Sequence, residues 1–197
     1  GCRATERASG RHWRASGLGG ILHCFSGTLA EARQGIEMGF LVSFAANADT
    51  WVDAGSPKSK FGSKDTMSAD ASPIRVSYVR FAVGGLAGRR VMQAILRLTV
   101  DAGSSAESDS GGSVHRITDV GWKEKTVTYK ARPLIDGPIV ATVGRVRARQ
   151  VVDFDVTSVV PGDGTYTFAI DSTSEDGVRY LTRESAKGAP RLLLGVR

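Results

Sequence analysis

The chain has 197 residues, of which 41% are hydrophobic, and this length suffices for one sizeable domain beside a shorter segment. No stretch is long and apolar enough for a membrane helix of about 20 residues, which excludes a membrane span. The net charge is +6 with acidic and basic residues interspersed, which argues against a basic nucleic-acid-binding tail. The two cysteines, Cys2 and Cys24, are too few for a thiolate zinc site.

Residues 1–45 predict one β-α-β unit. The apolar run Gly20–Phe25 is followed by a helix over Thr28–Met38, which Thr28 and Glu31 can open as a capping box. Gly39 ends the helix, and Phe40–Phe44 predicts a second buried strand. A lone β-α-β unit cannot bury both of its faces, so we expect it to pack on the rest of the chain or to remain unfolded. Because no apolar core precedes Gly20, we expect any export signal to lie outside this chain.

Residues 46–197 predict an all-β domain of antiparallel strands. Short β-rich runs, many of them alternating, are separated by Gly, Ser, Asp and Pro, which is typical of a β-sandwich or barrel. The Ser/Gly-rich stretch Gly103–Gly112 predicts a loop, and Pro161–Gly164 a turn. The predicted strands are Thr50–Val52, Thr66–Ala69, Ser77–Val83, Val91–Val100, Ser113–Ile117, Thr126–Lys130, Ile139–Val143, Val151–Val156, Thr165–Ser172, Tyr180–Arg183 and Arg191–Val196.

Aromatic and arginine side chains are the candidate ligand-binding groups of this domain. Aromatic rings stack on sugar rings, and arginine binds carboxylates with two parallel hydrogen bonds. Trp122 follows Gly121 and precedes charged residues, so we expect it to be exposed in a polar loop. The alternative is that the aromatics pack in the core and the arginines form a solvated face with an Arg183–Glu184 pair. The candidates are Arg75, Tyr78, Arg80, Arg97, Trp122, Lys125, Arg132 and Arg183.

Arg145, Arg147 and Arg149 alternate in the sequence, which predicts a strand with one arginine-rich face. That face is either simply solvated or a surface for an acidic polymer, such as a uronate polysaccharide or a phosphate backbone.

Catalysis has little support in the sequence, and we expect a protein that is not an enzyme. His115 is the one histidine after residue 45, and no nucleophile-elbow or phosphate-loop pattern accompanies it. No cofactor is required, although structural calcium is a candidate because carboxylates near strand ends suit this ion. Asp49 and Asp155 are the candidate calcium ligands.

Two parts of the sequence resemble known families. The block Gly20–Gly27, together with Gly39–Phe44, resembles TatD-type metal-dependent deoxyribonucleases over residues 17–44. The resemblance implies that His23 is a metal ligand, but the family's other ligands and its catalytic Asp have no counterpart here. Since a two-metal site needs several converging ligands, we expect a non-functional fragment.

From the block Ala48–Asp53 at its start to Thr182–Glu184 near its end, the stretch of residues 48–197 resembles DNRLRE-type domains, which are described as carbohydrate-binding modules. The resemblance implies a jelly-roll β-sandwich of secreted or wall-attached proteins, appended to polysaccharide-degrading enzymes. Trp51 and Lys130 depart from the family pattern, in which we expect Tyr and Asn. The matching blocks are Ala48–Asp53 with Phe61-Gly62, Ser77–Phe81 with Gly85-Leu86, Ala94–Leu98, Trp122 with Val127–Tyr129 and Pro133, Val152–Thr157, and Thr182–Glu184.

The sequence therefore predicts a TatD-like fragment over residues 1–45 and a jelly-roll-like antiparallel β-sandwich over residues 46–197. We expect a non-catalytic, monomeric module of a larger extracellular or cell-surface protein that binds polysaccharide, with an acidic, alginate-like polymer favoured. The alternatives are a structural or adhesive spacer and, third, a nuclease remnant. We do not expect nucleic acid as a partner.

Overall fold

The described part of the protein is built almost wholly of β-strands. The computed structural model describes residues 21–22 and 41–197, which contain three single-turn 3-10 helices (Ser104–Ala106, Tyr129–Ala131, Thr157–Val159) and no α-helix. The strands are β1 (Ile21–Leu22), β2 (Leu41–Asp53), β3 (Thr66–Ala71), β4 (Ile74–Val83), β5 (Val91–Thr99), β6 (Gly112–Ile117), β7 (Ile139–Val143), β8 (Val151–Asp155), β9 (Gly164–Asp171), β10 (Val178–Leu181) and β11 (Arg191–Val196).

The long strand β2 joins two layers of sheet. Its first part pairs with β11, and its second part pairs with β4 from Ala46 onward. The pairing shifts between Ala46 and Ala48, a bulge of the kind that bends a strand from one sheet into another. The hydrogen-bonded order is β7-β6-β9-β4-β2-β11-β5-β8, and β3 bridges β4 and β10. Neighbours along this path are antiparallel, whereas β1 pairs with β2 in parallel.

The main hydrophobic core lies between the two layers. Alternate residues of each strand point inward, as the period of two requires. Aliphatic residues of β5, β8 and β11 meet aromatic and aliphatic residues of β4 and β9. The main contributors are Leu96, Leu98, Phe154, Leu192, Leu194, Val79, Phe81, Phe168 and Ile170, all 0 or 1% exposed.

A second, smaller core covers the outer face of the β4–β9 layer. The connection between β6 and β7, residues 118–138, lies over that face, and we call it the covering loop. Its Trp122 and Val127 pack against Tyr78 and Ile117 of the sheet. Strand β4 is therefore buried on both faces, with Tyr78 in the second core and Val79 in the main one.

The predicted all-β antiparallel sandwich is confirmed, with three corrections to its elements. Residues 41–44 of the predicted strand Phe40–Phe44, and Thr50–Val52, predicted as a separate strand, belong to the continuous β2, while Phe40 lies outside the described residues. Residues Thr126–Lys130 are not a strand, because the carbonyl of Lys123 accepts the backbone N–H groups of Thr126 and Val127 and closes a turn.

The third correction is that the predicted arginine-rich strand is a loop. Arg145, Arg147 and Arg149 lie in the loop between β7 and β8, where Val146 makes one isolated bridge to Ser108. The predicted helix Thr28–Met38, Cys2, Cys24 and His23 lie outside the described residues. The division of the chain at residue 45 stays a prediction.

Within residues 21–22 and 41–197, no helix is long and apolar enough to cross a membrane.

We expect Leu192→Ala to lower the free energy of unfolding by about 3 kcal/mol, because it opens a cavity between Leu96 and Phe44, its neighbours on β5 and β2. Leu134→Ala is the matched control, since Leu134 is 75% exposed and should change stability by less than about 0.5 kcal/mol. Urea unfolding of both variants measures the difference, and equal midpoints would contradict the assignment of the core.

Candidate functional site

The covering loop is held on the sheet by Arg80 of β4. Its Nη1 donates hydrogen bonds to the carbonyl oxygens of Val120 (2.9 Å) and Trp122 (2.8 Å). Its guanidinium lies 5.0 Å from the centre of the Trp122 ring, and its Nε donates to Oδ1 of Asn47 at 3.2 Å. Arg80 therefore satisfies the loop's carbonyl groups and holds the Trp122 ring against the sheet.

Tyr78 and Trp122 anchor the loop from inside the second core. The hydroxyl of Tyr78 donates to the carbonyl of Pro133 at 2.9 Å, and Nε1 of Trp122 donates to Oγ1 of Thr167 at 3.3 Å. Burial raises the pKa of Tyr78 far above its usual value, so the hydroxyl stays a donor. At the far end of the loop, the carboxylate of Asp136 accepts the backbone N–H and the hydroxyl of Thr118.

The expectation that Trp122 is exposed is wrong, since it is 6% exposed. The polar residues around Trp122 face solvent, whereas its ring packs in the second core and lies beneath the guanidinium of Arg80. Tyr78 is fully buried as well, and both residues support the loop from below rather than line a surface.

A second loop, residues 54–65 between β2 and β3, lies beside the covering loop. The backbone N–H of Lys130 donates to the carbonyl of Pro57 at 3.2 Å. Gly62 is buried against the backbone of Glu124, so closely that a methyl group at Gly62 would overlap that carbonyl. These two contacts place the basic residues of both loops on one side of the molecule.

Six exposed lysines and one half-buried arginine lie on this pair of loops, and we call them the basic surface. In the part of the chain that the structure describes, none of its lysines forms an ion pair. Arg132 stacks on Tyr129, 3.9 Å from the ring centre, and its Nη1 donates to the carbonyl of Tyr129 at 2.6 Å. The basic surface consists of Lys58, Lys60, Lys64, Lys123, Lys125, Lys130 and Arg132.

Three of the other predicted arginines, Arg75, Arg97 and Arg183, contact carboxylates, whereas Arg80 binds carbonyl groups of the covering loop. Arg97 binds Asp153 on the neighbouring strand through two hydrogen bonds of 2.7 and 2.6 Å. Arg75 contacts Asp53 at 3.3 Å and Asp70 at 3.5 Å. These pairs neutralise the guanidinium groups where the sequence suggested free ones.

Of the eight predicted ligand residues, only Lys125 and Arg132 belong to the basic surface. The other lysines were not predicted because they fall in two segments that are far apart in the sequence, where acidic and polar residues surround them. A usable signal was the repetition of lysine in two turn-rich segments, Lys58–Lys64 and Lys123–Lys130.

Three carboxylates meet beside the basic surface. Oxygens of Asp49 on β2, Glu124 in the covering loop and Glu184 after β10 lie within 4.8 Å of one another, close enough to hold a metal ion. The backbone N–H of Asp49 donates to Oε1 of Glu124 at 2.8 Å. Nη1 of Arg183 contacts Oε2 of Glu124 at 3.1 Å and Oε1 of Glu184 at 3.8 Å. The alternative pair of Arg183 and Glu184 is therefore present, as part of this larger group.

The carboxyl group of Asp49 is the buried member of this group. Its Oδ2 accepts the backbone N–H of Arg183 at 2.8 Å, whereas Oδ1 has no hydrogen-bond partner among the described residues. Burial, followed by the charges of Glu184 and Glu124, raises the pKa of Asp49 to about 7 against the hydrogen bond from Arg183.

Asp155, the other predicted calcium ligand, lies elsewhere. Its Oδ1 accepts the backbone N–H of Thr157 at 2.9 Å and the hydroxyl at 2.6 Å, and these bonds lower the pKa of Asp155. His115 bridges the carbonyl of Gly137 and the carboxylate of Asp171, so both of its ring nitrogens have structural partners.

We expect Gly62→Ala to destabilise the protein by about 1–3 kcal/mol, because the added methyl group forces the two loops apart. Gly84→Ala is the matched control, since nothing lies within 4 Å of a Cβ atom at that position. Urea unfolding compares the two variants, and an unchanged midpoint for Gly62→Ala would show that the loops are not in contact.

The raised pKa of Asp49 predicts that stability increases as the pH falls. The folded protein binds this proton more tightly than the unfolded chain, where the pKa of Asp is about 3.9, so ionisation above about pH 7 opposes folding. Between about pH 8 and about pH 5.5 the gain should be about 2 kcal/mol. Urea unfolding in a chelator measures it. Asp49→Asn should remove most of the gain, and an equal gain in that variant would refute the assignment.

Comparison with known proteins agrees with this architecture. The sequence model of "Carbohydrate-binding module family 96" matches residues 41–195, from the first residue of β2 to the penultimate residue of β11. No curated protein matches the chain. The predicted class, a carbohydrate-binding module, is confirmed, whereas the narrower resemblance to DNRLRE-type domains and the TatD-type likeness of residues 17–44 stay predictions. Because the match covers well over half of the 197 residues, the chain belongs to carbohydrate-binding module family 96.

Proposed function

We propose that this module binds an acidic polysaccharide of the uronate type through the basic surface. The observation that carries the proposal is the exposure of six lysines on two neighbouring loops, none of them ion-paired in the described part of the chain. A uronate polymer repeats a carboxylate along its length, so a row of separated cations can contact successive sugars. Each contact is weak at an exposed site, and affinity arises from their number.

Arg132 and Tyr129 add a contact that lysines cannot provide. The guanidinium is held flat against the Tyr129 ring at 3.9 Å, and its remaining N–H groups are available to a carboxylate or to hydroxyl groups. Tyr129 is half-buried, so its ring belongs partly to the second core. Because the ring is held in place by packing, little side-chain entropy is lost when a sugar binds beside it.

A groove between the edge strands β7 and β8 is less suited to an acidic polymer. It has a volume of about 600 Å³ and is lined by Asp153, Asp155, Thr157 and residues of β7. Its carboxylates would repel a uronate, although Arg97 neutralises one of them. We therefore assign the polymer to the basic surface and not to this groove.

The proposal also includes predictions about enzymatic activity, about attachment to a larger protein and about the oligomeric state. Carbohydrate-binding module families are families of non-catalytic binding domains, which agrees with the expected absence of enzymatic activity. Attachment to a larger extracellular or cell-surface protein and a monomeric state remain expectations. A spacer role is the alternative, and it requires no exposed cationic surface.

We expect soluble alginate or polygalacturonate to retard the protein in an affinity gel, and added salt to weaken the retardation by screening the charges. The variant Lys123→Ala/Lys125→Ala/Lys130→Ala should lose about tenfold in affinity, because three exposed ion pairs of about 0.5 kcal/mol each are removed. Isothermal titration calorimetry with oligouronates of increasing length gives the affinities.

The matched control is Arg145→Ala/Arg147→Ala/Arg149→Ala, which removes the same charge from the exposed loop between β7 and β8. We expect it to bind as the unaltered protein does. Equal losses in both variants would indicate a general charge effect, and equal mobility with and without a panel of acidic and neutral polysaccharides would favour the spacer role.

A further inference from the structure

The group formed by Asp49, Glu124 and Glu184 has the geometry of a cation site. Two oxygens on opposite sides of a calcium ion, each at about 2.4 Å, lie about 4.8 Å apart. One oxygen from each of the three carboxylates lies within 4.8 Å of the other two, so a single ion can contact all three residues. Their residues come from a strand and from two separate loops, and the tertiary fold alone brings them together.

The charge of this group is not balanced by the protein side chains around it. When Asp49 is ionised, three carboxylates face one guanidinium among the described residues, that of Arg183, which contacts Glu124 and Glu184. One divalent cation would neutralise the remainder. A carboxylate that is removed from water without enough opposite charge is strongly destabilising, so some cation or proton has to compensate.

The strongest independent observation is the unpartnered oxygen of Asp49. This residue is 1% exposed, and its Oδ1 atom is buried without a hydrogen-bond partner among the described residues. Buried carboxylate oxygens nearly always have a donor or a metal ion beside them. The Oδ2 atom is already occupied by the backbone N–H of Arg183, so Oδ1 is free for an ion.

We propose that Asp49, Glu124 and Glu184 form a binding site for a divalent cation, with calcium as the ion. The ligand set contains carboxylate oxygens alone, which suits hard cations and not zinc or copper. Calcium accepts six to eight oxygens in irregular arrangements, which suits ligands drawn from a strand and two separate loops, with water completing the shell.

The site would tie three parts of the fold together at the basic surface. Glu124 lies between Lys123 and Lys125 of the covering loop, Asp49 lies on β2, and Glu184 lies in the connection from β10 to β11. An ion bound here fixes the lysine-bearing turn against the sandwich. Calcium would thus be structural, and its binding does not require a polysaccharide.

The test is calcium binding to the full chain after chelator treatment, with no polysaccharide present, since acidic polymers bind calcium themselves. We expect calorimetry to show one site, and Tm to rise by about 5 °C at a hundredfold excess over Kd. Glu184→Gln should weaken calcium binding by about tenfold or more. Glu184 is exposed, so this variant should fold even if Asp49→Asn does not. Glu175→Gln, the same change at an exposed carboxylate outside the group, should bind calcium normally.

Three results would overturn the proposal. The first is the absence of heat and of a Tm shift with calcium up to about 10 mM, well above the weakest dissociation constants of extracellular calcium modules. The second is an equal Tm rise with sodium at matched ionic strength. The third is unchanged calcium affinity in Glu184→Gln. If calcium has no effect and Asp49→Asn stabilises the protein, a proton and not a metal ion balances Asp49.

Discussion

The architecture of the proposed binding surface depends on how a long irregular segment is packed on a β-sheet. The covering loop has 21 residues, and each carbonyl that it turns toward the sheet needs a donor. Arg80 provides two of these donors from β4 and places its guanidinium over Trp122. Together with the hydrogen bonds of Tyr78, Trp122 and Asp136, this side chain holds the inner side of the loop on the sheet.

The anchored loop also keeps the negative charge of residue 124 apart from the positive charges of residues 123 and 125. Glu124 points inward to Arg183 and the backbone of Asp49, whereas Lys123 and Lys125 are exposed. The acidic group and the basic surface are thus two sides of the same turn. The proposed polymer contacts and the proposed calcium site share one support, so that order at the carboxylates is transmitted to the lysines through the backbone.

The arginines illustrate why residue type alone is a poor guide to a binding site. A guanidinium on a strand finds carboxylates on neighbouring strands, as Arg97 finds Asp153, because paired residues lie side by side across the ladder. In the described part of the chain, the lysines of the two loops have no carboxylate paired with them in this way. The sequence analysis favoured arginine as a ligand-binding residue because its guanidinium binds carboxylates. For the same reason, Arg75 and Arg97 are already paired with carboxylates of neighbouring strands.

The sequence by itself determined the class of fold and most of the strands, because alternation and turn residues act over a few neighbouring positions; Ile139–Val143 and Arg191–Val196 were predicted to the residue. It did not show that residues 41–44 and Thr50–Val52 belong to one strand with a bulge between them, or that Thr126–Lys130 is not a strand. Only the tertiary structure decided that Trp122 is buried and that Asp49, Glu124 and Glu184 meet. Burial and charge balance depend on distant segments, such as those of Asp49 and Glu184, which are 135 positions apart, and no local pattern records which distant segment will cover a given face.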